Sequence, residues 1–329
     1  MIGVGLLWLA FNNVDLNHVW QTIKTANYSW LIGSMGVAVL SHIFRALRWN
    51  QLINQLGYKT KTSTTFYAVM TGYLANLALP RMGEVSRCMV LSRKDNIPFN
   101  RLFGTVIAER VFDMIVLVIM IFLIIIFQVD KIGGFINDLI VEPLLGRYTN
   151  NINAILLVVI IIFASIGLLL LLFFWLRPWL KTTMLYSKIE EFINGVWGGV
   201  KSIGKIKNKW FFFFNTFMIW FLYLIMLMMP FYSFEETSHL NIIDGMTVLA
   251  IGSLGMLAPV PGGIGAYHFI ITELFTELYN IPAYVAAAYA TANHAAQTLI
   301  IILAGSISYL LLMLNKRKAL NEPPKSGKK

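Results

Sequence analysis

Long uninterrupted apolar runs constrain this chain more than any other feature. The longest cover residues 154–176, 210–232 and 285–314, and each exceeds the ~20 residues that a helix needs to cross the core of a bilayer. Apolar residues make up 57% of the 329 residues and charged residues only 13%, well below the fraction in soluble domains. The sequence therefore predicts an all-α, polytopic helical membrane protein.

The positive charge of the chain follows these apolar runs. The formal net charge is +10, which by itself would suit a nucleic-acid-binding protein. Nearly all of the 26 Lys and Arg residues, however, lie in segments between the runs, at 45–61, 81–101, 177–209 and 316–329. Because cytoplasmic loops carry an excess of Lys and Arg, this distribution predicts a multi-pass protein of the cytoplasmic (inner) cell membrane. It also predicts a cytoplasmic C-terminus with a basic tail at 317–329, and no nucleic-acid partner.

Redox and metal chemistry find little support in the sequence. Cys88 is the only cysteine, so an intrachain disulfide is excluded. The five histidines do not have the spacing of a metal motif. No nucleophile or metal constellation for catalysis is present. We therefore expect no metal, no cofactor and no catalytic residues.

A short apolar segment between two basic flanks predicts a re-entrant hairpin. Residues 65–79 are mostly apolar, but Gly72 and Asn76 interrupt them and Pro80 ends them. This segment is short for a complete crossing. Because both flanks are basic, they should lie on the same side of the membrane. A hairpin that enters and leaves on one side satisfies both conditions, provided that protein or trapped water pairs its exposed backbone.

Three charged residues enter the next apolar helix. The uninterrupted apolar run covers only residues 114–127, so a complete span has to begin near Ala108 and to include Glu109, Arg110 and Asp113. A charged group at bilayer depth costs roughly 2.5–3.5 kcal/mol on insertion scales, so such groups usually mark a polar pathway, a binding site or an internal pair. Arg110 and Asp113 are three residues apart on one helix face, which makes them the natural internal pair.

A second break resembles the first one in the other half of the chain. The apolar stretch 242–258 is broken at Pro259 and Pro261, and it continues at 264–278 after a glycine-rich segment. Under the predicted orientation, the first break is entered from the cytoplasm and the second from outside. One alternative is that Pro and Gly merely kink packed helices here.

The order of elements in the two halves is the same and their direction is reversed. This predicts two inverted-topology repeats, about 1–127 and about 153–315, each with a re-entrant or broken helix. Both repeats belong to a single integral membrane domain, 1–316, and residues 128–152 are expected to form an outer loop between them.

Four short motifs recur in the order found in a known family. The motifs are Arg45-x-x-Arg48-Trp49, Pro80-Arg-x-Gly-Glu84-x-x-Arg87, Glu109-Arg110-x-x-Asp113 and Pro261-Gly-Gly-Ile-Gly265. By these motifs the chain resembles the lysylphosphatidylglycerol synthase/flippase membrane-domain family over nearly its whole length. The resemblance implies a flippase-like membrane part without the soluble C-terminal domain that makes aminoacylated phosphatidylglycerol in the best understood members. Other relatives are linked to polyprenyl-linked glycan pathways. Where many members carry an acidic residue after the Gly-rich break, this chain has His268.

The candidate substrate-binding residues come from these motifs and from the two breaks. They are Arg45, Arg48, Asn76, Arg81, Glu84, Arg87, Glu109, Arg110, Asp113, Pro261, Gly262, Gly263 and His268.

Each group of candidates has a functional and a structural interpretation. Arg81, Glu84 and Arg87 form either a cradle for a lipid phosphate or an interfacial loop with snorkelling arginines. The triplet that begins at Glu109 is either a headgroup or proton-coupling site or an ion-pair knot that locks helices together. His42, His268 and His294 are either proton relays or interhelical hydrogen bonders. Arg45, Arg48 and Trp49 close the predicted span 28–44 with a basic and aromatic end suited to the membrane interface.

The function that these observations favour is lipid transport. A flippase would move a phospholipid, for example aminoacylated phosphatidylglycerol, or a lipid-linked headgroup between leaflets through a polar cavity between the two breaks. Membrane phospholipids are then the expected partners, with an envelope-lipid or glycan-synthesis enzyme as a further one. The alternatives are a membrane-embedded transferase that uses Glu84 or Asp113 as a base, and an accessory subunit in polyprenyl-phosphate glycan or envelope-lipid synthesis. The oligomeric state is not predicted.

Overall fold

A computed structural model describes residues 2–12, 14–136, 206–256 and 258–321, together with isolated positions at 160, 164, 167, 168 and 204. All regular structure in this part of the chain is helical, as predicted. The α-helices, numbered within the described part, are α1 Ile2–Phe11, α2 Leu16–Thr25, α3 Tyr28–Gln55, α4 Thr62–Ala78, α5 Met82–Asp95, α6 Phe99–Ile136, α7 Lys209–Met228, α8 Ile242–Gly255, α9 Ala266–Glu273 and α10 Ala283–Asn321.

Four segments of the described residues are long and apolar enough to cross a membrane. They are Tyr28–Gln55, Phe99–Gln128, Lys209–Ser233 and Ala283–Leu314. The third and fourth cover the apolar runs 210–232 and 285–314, so those two predicted spans are confirmed as helices. The predicted span 154–176 lies outside the described residues apart from isolated positions.

Two helices are longer than the sequence predicted. Helix α3 does not close at residue 44 but continues to Gln55, because residues 46–53 pack into a buried cluster rather than onto an interface. Helix α6 begins at Phe99, well before Ala108, since Pro98 is preorganised for a first helical turn and its carbonyl accepts the first backbone bonds. The same helix runs past a non-helical residue, Gln128, into the segment predicted as an outer loop.

The first break is a tight helical hairpin. Helix α4 ends at Ala78, where Leu79 becomes extended, as expected before Pro80, and Arg81 adopts a left-handed conformation with φ 62°. Helix α5 then returns along α4. The return is close because Gly72 and Gly83 face each other: a Cβ on Gly72 would lie 2.7 Å from the carbonyl oxygen of Gly83. Helix α4 has 17 residues, which agrees with an element that does not span.

The second break separates α8 from α9. A short 3₁₀ turn, Pro261–Gly263, follows α8, and Gly265 precedes α9. Gly262, Gly263 and Gly265 all have positive φ, which explains why the sequence places glycine at these positions. Helix α9 continues as a π-helical turn, Leu274–Leu278. This arrangement confirms the predicted interruption at Pro261.

The two breaks touch each other in the folded chain. A Cβ built on Gly262 would lie 3.0 Å from Cδ2 of Leu77, which is the last turn of α4 before the first break. The breaks rest on a hydrophobic core around Phe231, Phe275 and Tyr289, where the Tyr289 hydroxyl donates to the Leu227 carbonyl at 2.7 Å. The inverted symmetry of the two halves stays a prediction.

Candidate functional site

The charged residues of the first half meet in one network between α3, α5, α6 and α7. Asp113 on α6 accepts from Arg48 on α3, with Nη2 to Oδ1 at 2.7 Å, and Arg45 contacts its other oxygen at 3.4 Å. The two arginines are three residues apart, so one face of α3 carries both. Helix α7 contributes two hydroxyl groups to the network. Arg45 donates to the Tyr223 hydroxyl at 3.0 Å, and Arg48 donates to the Thr216 hydroxyl at 3.3 Å.

Arg48 and Trp49 are completely buried within the protein and do not extend to its surface, and their position relative to the membrane interface stays a prediction. The continuation of α3 carries both side chains inward, and the indole N–H of Trp49 donates to the Thr105 hydroxyl at 2.8 Å. A buried guanidinium requires charged partners, and Asp113 and Glu109 supply them. The pattern of basic and aromatic residues is the same at an interface and in this cluster, so local sequence could not distinguish the two.

Glu109 is also completely buried and lies between two arginines. Its Oε2 is 2.8 Å from Nη2 of Arg87, and its Oε1 is 3.5 Å from Nε of Arg48. Neither oxygen has a hydrogen bond of good geometry among the described residues, so the carboxylate is held mainly by charge. Arg87 in turn stacks on the Trp49 ring at 4.5 Å from its centroid, which fixes the α5 end of this pair.

Arg110 is the most exposed cation of the network. Its side chain is 45% exposed, and its two acidic contacts are long, at 3.8 Å to Glu84 and 3.9 Å to Asp113. The predicted Arg110–Asp113 pair therefore exists only as a distant contact. Asp113 faces α3, where Arg48 offers a shorter and better aligned partner. The natural pair of Asp113 is thus between helices and not within α6.

A narrow cleft with a volume of about 20 Å³ lies beside Arg110. It lies between the α4–α5 hairpin and α6, and within it the side-chain oxygen of Asn76 accepts from the backbone N–H of Gly83 at 2.6 Å. The cleft is lined by Val69, Gly72, Tyr73, Asn76, Gly83, Glu84, Arg87 and Arg110. Four predicted site residues, Asn76, Glu84, Arg87 and Arg110, are therefore brought together at one cavity.

The charges around the cleft do not balance. Four guanidinium groups meet three carboxylates in the described network, which leaves one positive charge in excess. Since Arg45, Arg48 and Arg87 have close acidic partners, the unpaired positive charge lies mainly at Arg110. Arginine offers several N–H donors in a plane that matches a phosphate or carboxylate. The arrangement is therefore able to attract an anion into the cleft.

The remaining candidates lie at the tips of the two breaks. Arg81 is exposed at the turn of the hairpin, outside the lining of the cleft. Pro261 is exposed, Gly263 is buried, and Gly262 contacts the first break. His268 is buried on α9, with its ring centroid 4.9 Å from that of His294 on α10. Pro261, Gly262, Gly263 and His268 lie around the second break and are not part of the lining of the cleft.

Sequence reasoning missed two residues that complete the network, Thr216 and Tyr223 on α7. The only available signal was their polarity within a helix rich in phenylalanine and their spacing of seven residues, which places both on one face. His42, considered as either a proton relay or an interhelical hydrogen bonder, packs its ring with the centroid 4.6 Å from that of Tyr73. Within the described residues, no group of three or more His, Cys, Asp or Glu side chains is arranged to hold a metal.

Comparison with known proteins agrees with the architecture. The chain matches the family model described as "Lysylphosphatidylglycerol synthase TM region" over residues 1–305. It is similar to the UPF0104 membrane protein MJ1595 of Methanocaldococcus jannaschii, with 23% identity over 321 residues that cover 93% of this chain and 92% of that protein. It is also similar to Glycosyltransferase AglD of Haloferax volcanii, with 27% identity over 103 residues, 31% of this chain and 16% of AglD. No solved structure gives a significant match.

Proposed function

Since this membrane protein belongs to the lysylphosphatidylglycerol synthase TM-region family, we propose that it is a flippase for phospholipids with an anionic phosphate. The substrate class includes phosphatidylglycerol and its aminoacylated form. The polar headgroup passes through the cleft between the hairpin and α6, while the acyl chains stay in the surrounding lipid. The charge distribution of the sequence supports an orientation with the C-terminus in the cytoplasm of the inner membrane.

The observation that carries this proposal is the unbalanced charge at Arg110. A headgroup phosphate brings one negative charge, which would neutralise the excess cation and replace its two long acidic contacts. Arg87 lines the same cleft, but its charge is already paired with Glu109 at 2.8 Å. Glu84, also in the lining, is suited to the ammonium group of an aminoacylated headgroup. The cleft thus offers both charges that such a headgroup requires.

The inner part of the network has a different role. Arg45, Arg48 and Asp113 tie α3 to α6 through close contacts, and their side chains are at least largely buried. A group whose charge is already paired gains little from a ligand. We assign these residues to holding the wall of the cleft, so both earlier interpretations of the cluster apply, each to a different part of it.

Leaflet-resolved lipid labelling in reconstituted vesicles tests the proposal. Vesicles with fluorescent phosphatidylglycerol are quenched from outside, with and without the protein. We expect the protein to accelerate exchange between leaflets and Arg110→Gln to slow it by about tenfold or more, the factor that loss of a charge-assisted bond of about 1.5–3 kcal/mol produces.

A matched control removes another arginine from the same helix. Arg101 is exposed near the start of α6, and its one described contact is a hydrogen bond of 3.4 Å to the Tyr58 hydroxyl. Arg101→Gln should therefore exchange lipid like the wild type. Absence of protein-dependent exchange for phosphatidylglycerol, lysyl-phosphatidylglycerol and a polyprenyl phosphate alike would refute the flippase function.

The local similarity to a glycosyltransferase supports a second candidate function, that of a membrane-embedded transferase. In that case the cleft would hold a lipid-linked donor, and Glu84 or Asp113 would act as a base. Asp113 is a poor candidate because two arginines already occupy its oxygens, which leaves Glu84. Mass spectrometry of a lipid extract incubated with the protein would reveal a new lipid product, and this product should disappear with Glu84→Gln. Co-purification with an envelope-lipid or glycan-synthesis enzyme would instead support the accessory role.

A further inference from the structure

Two histidines from different helices hold the backbone of the second break. Nε2 of His294 on α10 is 2.9 Å from the carbonyl oxygen of Gly262. Nδ1 of His268 on α9 is 3.4 Å from the backbone nitrogen of Gly265. Both glycines have positive φ, so the loop between them has a conformation that these contacts help to define. The pair lies outside the ion-pair network and has no part in the headgroup contacts proposed above.

The two contacts fix where the protons are on the neutral rings. A carbonyl oxygen only accepts, so Nε2 of His294 carries hydrogen, and its Nδ1 is an acceptor that makes no hydrogen bond among the described residues. A backbone N–H only donates, so Nδ1 of His268 carries no hydrogen and its Nε2 does. The two rings therefore respond differently to an added proton. On His294 the proton enters at Nδ1 and the Gly262 contact stays, whereas on His268 it would enter at Nδ1 and remove the Gly265 contact.

The surroundings allow the pair only one proton. The ring centroids are 4.9 Å apart, so two imidazolium ions would repel each other. The neighbouring helices α1, α4 and the part of α10 up to Leu314 carry no Asp, Glu, Lys or Arg. The Tyr267 ring is 5.6 Å from that of His294, and Glu273 lies further along α9. Helices α2 and α3 also pack against α10. Their ionisable residues are His18 and Lys24 on α2 and His42, Arg45 and Arg48 on α3, and the two arginines are paired with Asp113. On α8, Asp244 is already bonded to Gln128.

From this geometry we propose that His294 is a proton-binding site, and that its occupation tightens the contact between the two breaks. A charge-assisted hydrogen bond is roughly twice as strong as a neutral one, so the imidazolium holds the Gly262 carbonyl more firmly. Gly262 is the residue that touches Leu77 on the first break. Protonation thus stabilises the contact between the two breaks. Resting on the proposed flippase function, the inference predicts that headgroup passage slows as the pH falls and His294 takes up its proton.

Nitrogen-15 NMR of the labelled histidines tests proton binding without any lipid transport. The whole chain in nanodiscs is titrated, and the ring nitrogen shifts report the tautomer and the charge of each histidine. We expect His294 to gain one proton at Nδ1 while His268 keeps hydrogen on Nε2 only. Uptake of a proton by His268 first, or by both rings at the same midpoint, would overturn the proposal, as would a His294 that stays neutral down to the pH at which the chain unfolds.

Hydrogen exchange measures the effect on the break. The amides of residues 258–266 should exchange about fivefold more slowly, after correction for the intrinsic effect of pH, once His294 is charged. His294→Gln is expected to abolish this pH response, because the glutamine amide can still donate to Gly262 but cannot be charged. His239→Gln is the matched control, since His239 is exposed on the loop before α8 and should leave the response unchanged. A response that persists in His294→Gln refutes the site.

Lipid exchange as a function of pH separates this inference from the proposed function. If the wild type exchanges lipid more slowly at low pH and His294→Gln does not, both are supported. If the wild type exchanges no lipid at any pH, the flippase function fails, while the NMR and hydrogen-exchange results still decide the proton site. If exchange occurs with the same pH dependence in wild type and variant, the coupling is wrong and the flippase function stands. A His294→Gln protein that does not fold leaves the decision to the wild-type titration.

Discussion

Asp113→Asn should destabilise the protein far more than Arg110→Gln, although both substitutions remove a charge from the same network. Asp113 is the common partner of Arg45 and Arg48, which are 3% and 0% exposed. Removing one partner of a buried ion pair leaves an uncompensated charge and typically costs about 3–5 kcal/mol. Asparagine has nearly the same shape, so the loss comes from charge and not from packing.

Arg110→Gln removes only two long contacts from a half-exposed side chain. Exposed ion pairs contribute about 0–1 kcal/mol, and this substitution also relieves the excess positive charge of the network. The expected difference between the two variants is therefore about 2–5 kcal/mol. For a chain of this size that corresponds to roughly 2 °C of melting temperature per kcal/mol, or about 4–10 °C.

Labelling of Cys88 with a thiol-reactive dye measures the thermal stability of the variants. Cys88 is the only cysteine of the chain and is completely buried on α5, so a thiol-reactive fluorophore reports when the fold opens. Detergent-solubilised wild type and both variants are heated with the dye, and the midpoints are compared. The reasoning would be wrong if Asp113→Asn melted within about 1 °C of the wild type, or if Arg110→Gln were the less stable variant. Together with the lipid-exchange assay, the two variants distinguish Asp113, which stabilises the wall of the cleft, from Arg110, which is proposed to bind the lipid headgroup.

Other substitutions test the remaining parts of the fold. Gly83→Ala should lower the melting temperature, by an amount that reflects about 1–3 kcal/mol, because its Cβ would lie 2.6 Å from an amide nitrogen of the facing helix; Gly36→Ala, with nothing within 4 Å, should be neutral or stabilising in the same assay. Gln128→Met should destabilise the chain by about 1–3 kcal/mol, since the buried Asp244 loses its 2.9 Å donor across helices, and faster hydrogen exchange at the start of α8 would report this loss. Backbone N–H groups that donate to Asp15 hold the pKa of this carboxyl below its usual range. The ionised Asp15 N-cap therefore stabilises α2 above about pH 4, and this stabilisation is lost as the pH falls below that value. The amides of α2 should then exchange faster in acid, and unchanged exchange would contradict this.

The sequence determined those features that depend on local length and local backbone chemistry. A run of more than twenty apolar residues can only be satisfied in a bilayer or a large apolar interior, so the spans at 210–232 and 285–314 could be predicted and are present as helices. Pro80 and Pro261 lack the backbone N–H that a continuing helix needs, and both breaks occur at these residues.

Only the tertiary structure decided which charges meet. Asp113 has a possible partner three residues away on its own helix, yet its closest contacts come from Arg45 and Arg48, more than sixty residues earlier in the chain. The choice depends on how α3 and α6 pack, and helix packing is set by the shapes of many side chains along both helices and not by the spacing of a few charges. For the same reason the sequence could not tell that Trp49 is buried rather than exposed, nor that Gly262 would contact the first break. Length and local backbone chemistry thus set where the apolar helices and the two breaks occur, and packing set how far α3 extends and what each polar residue contacts.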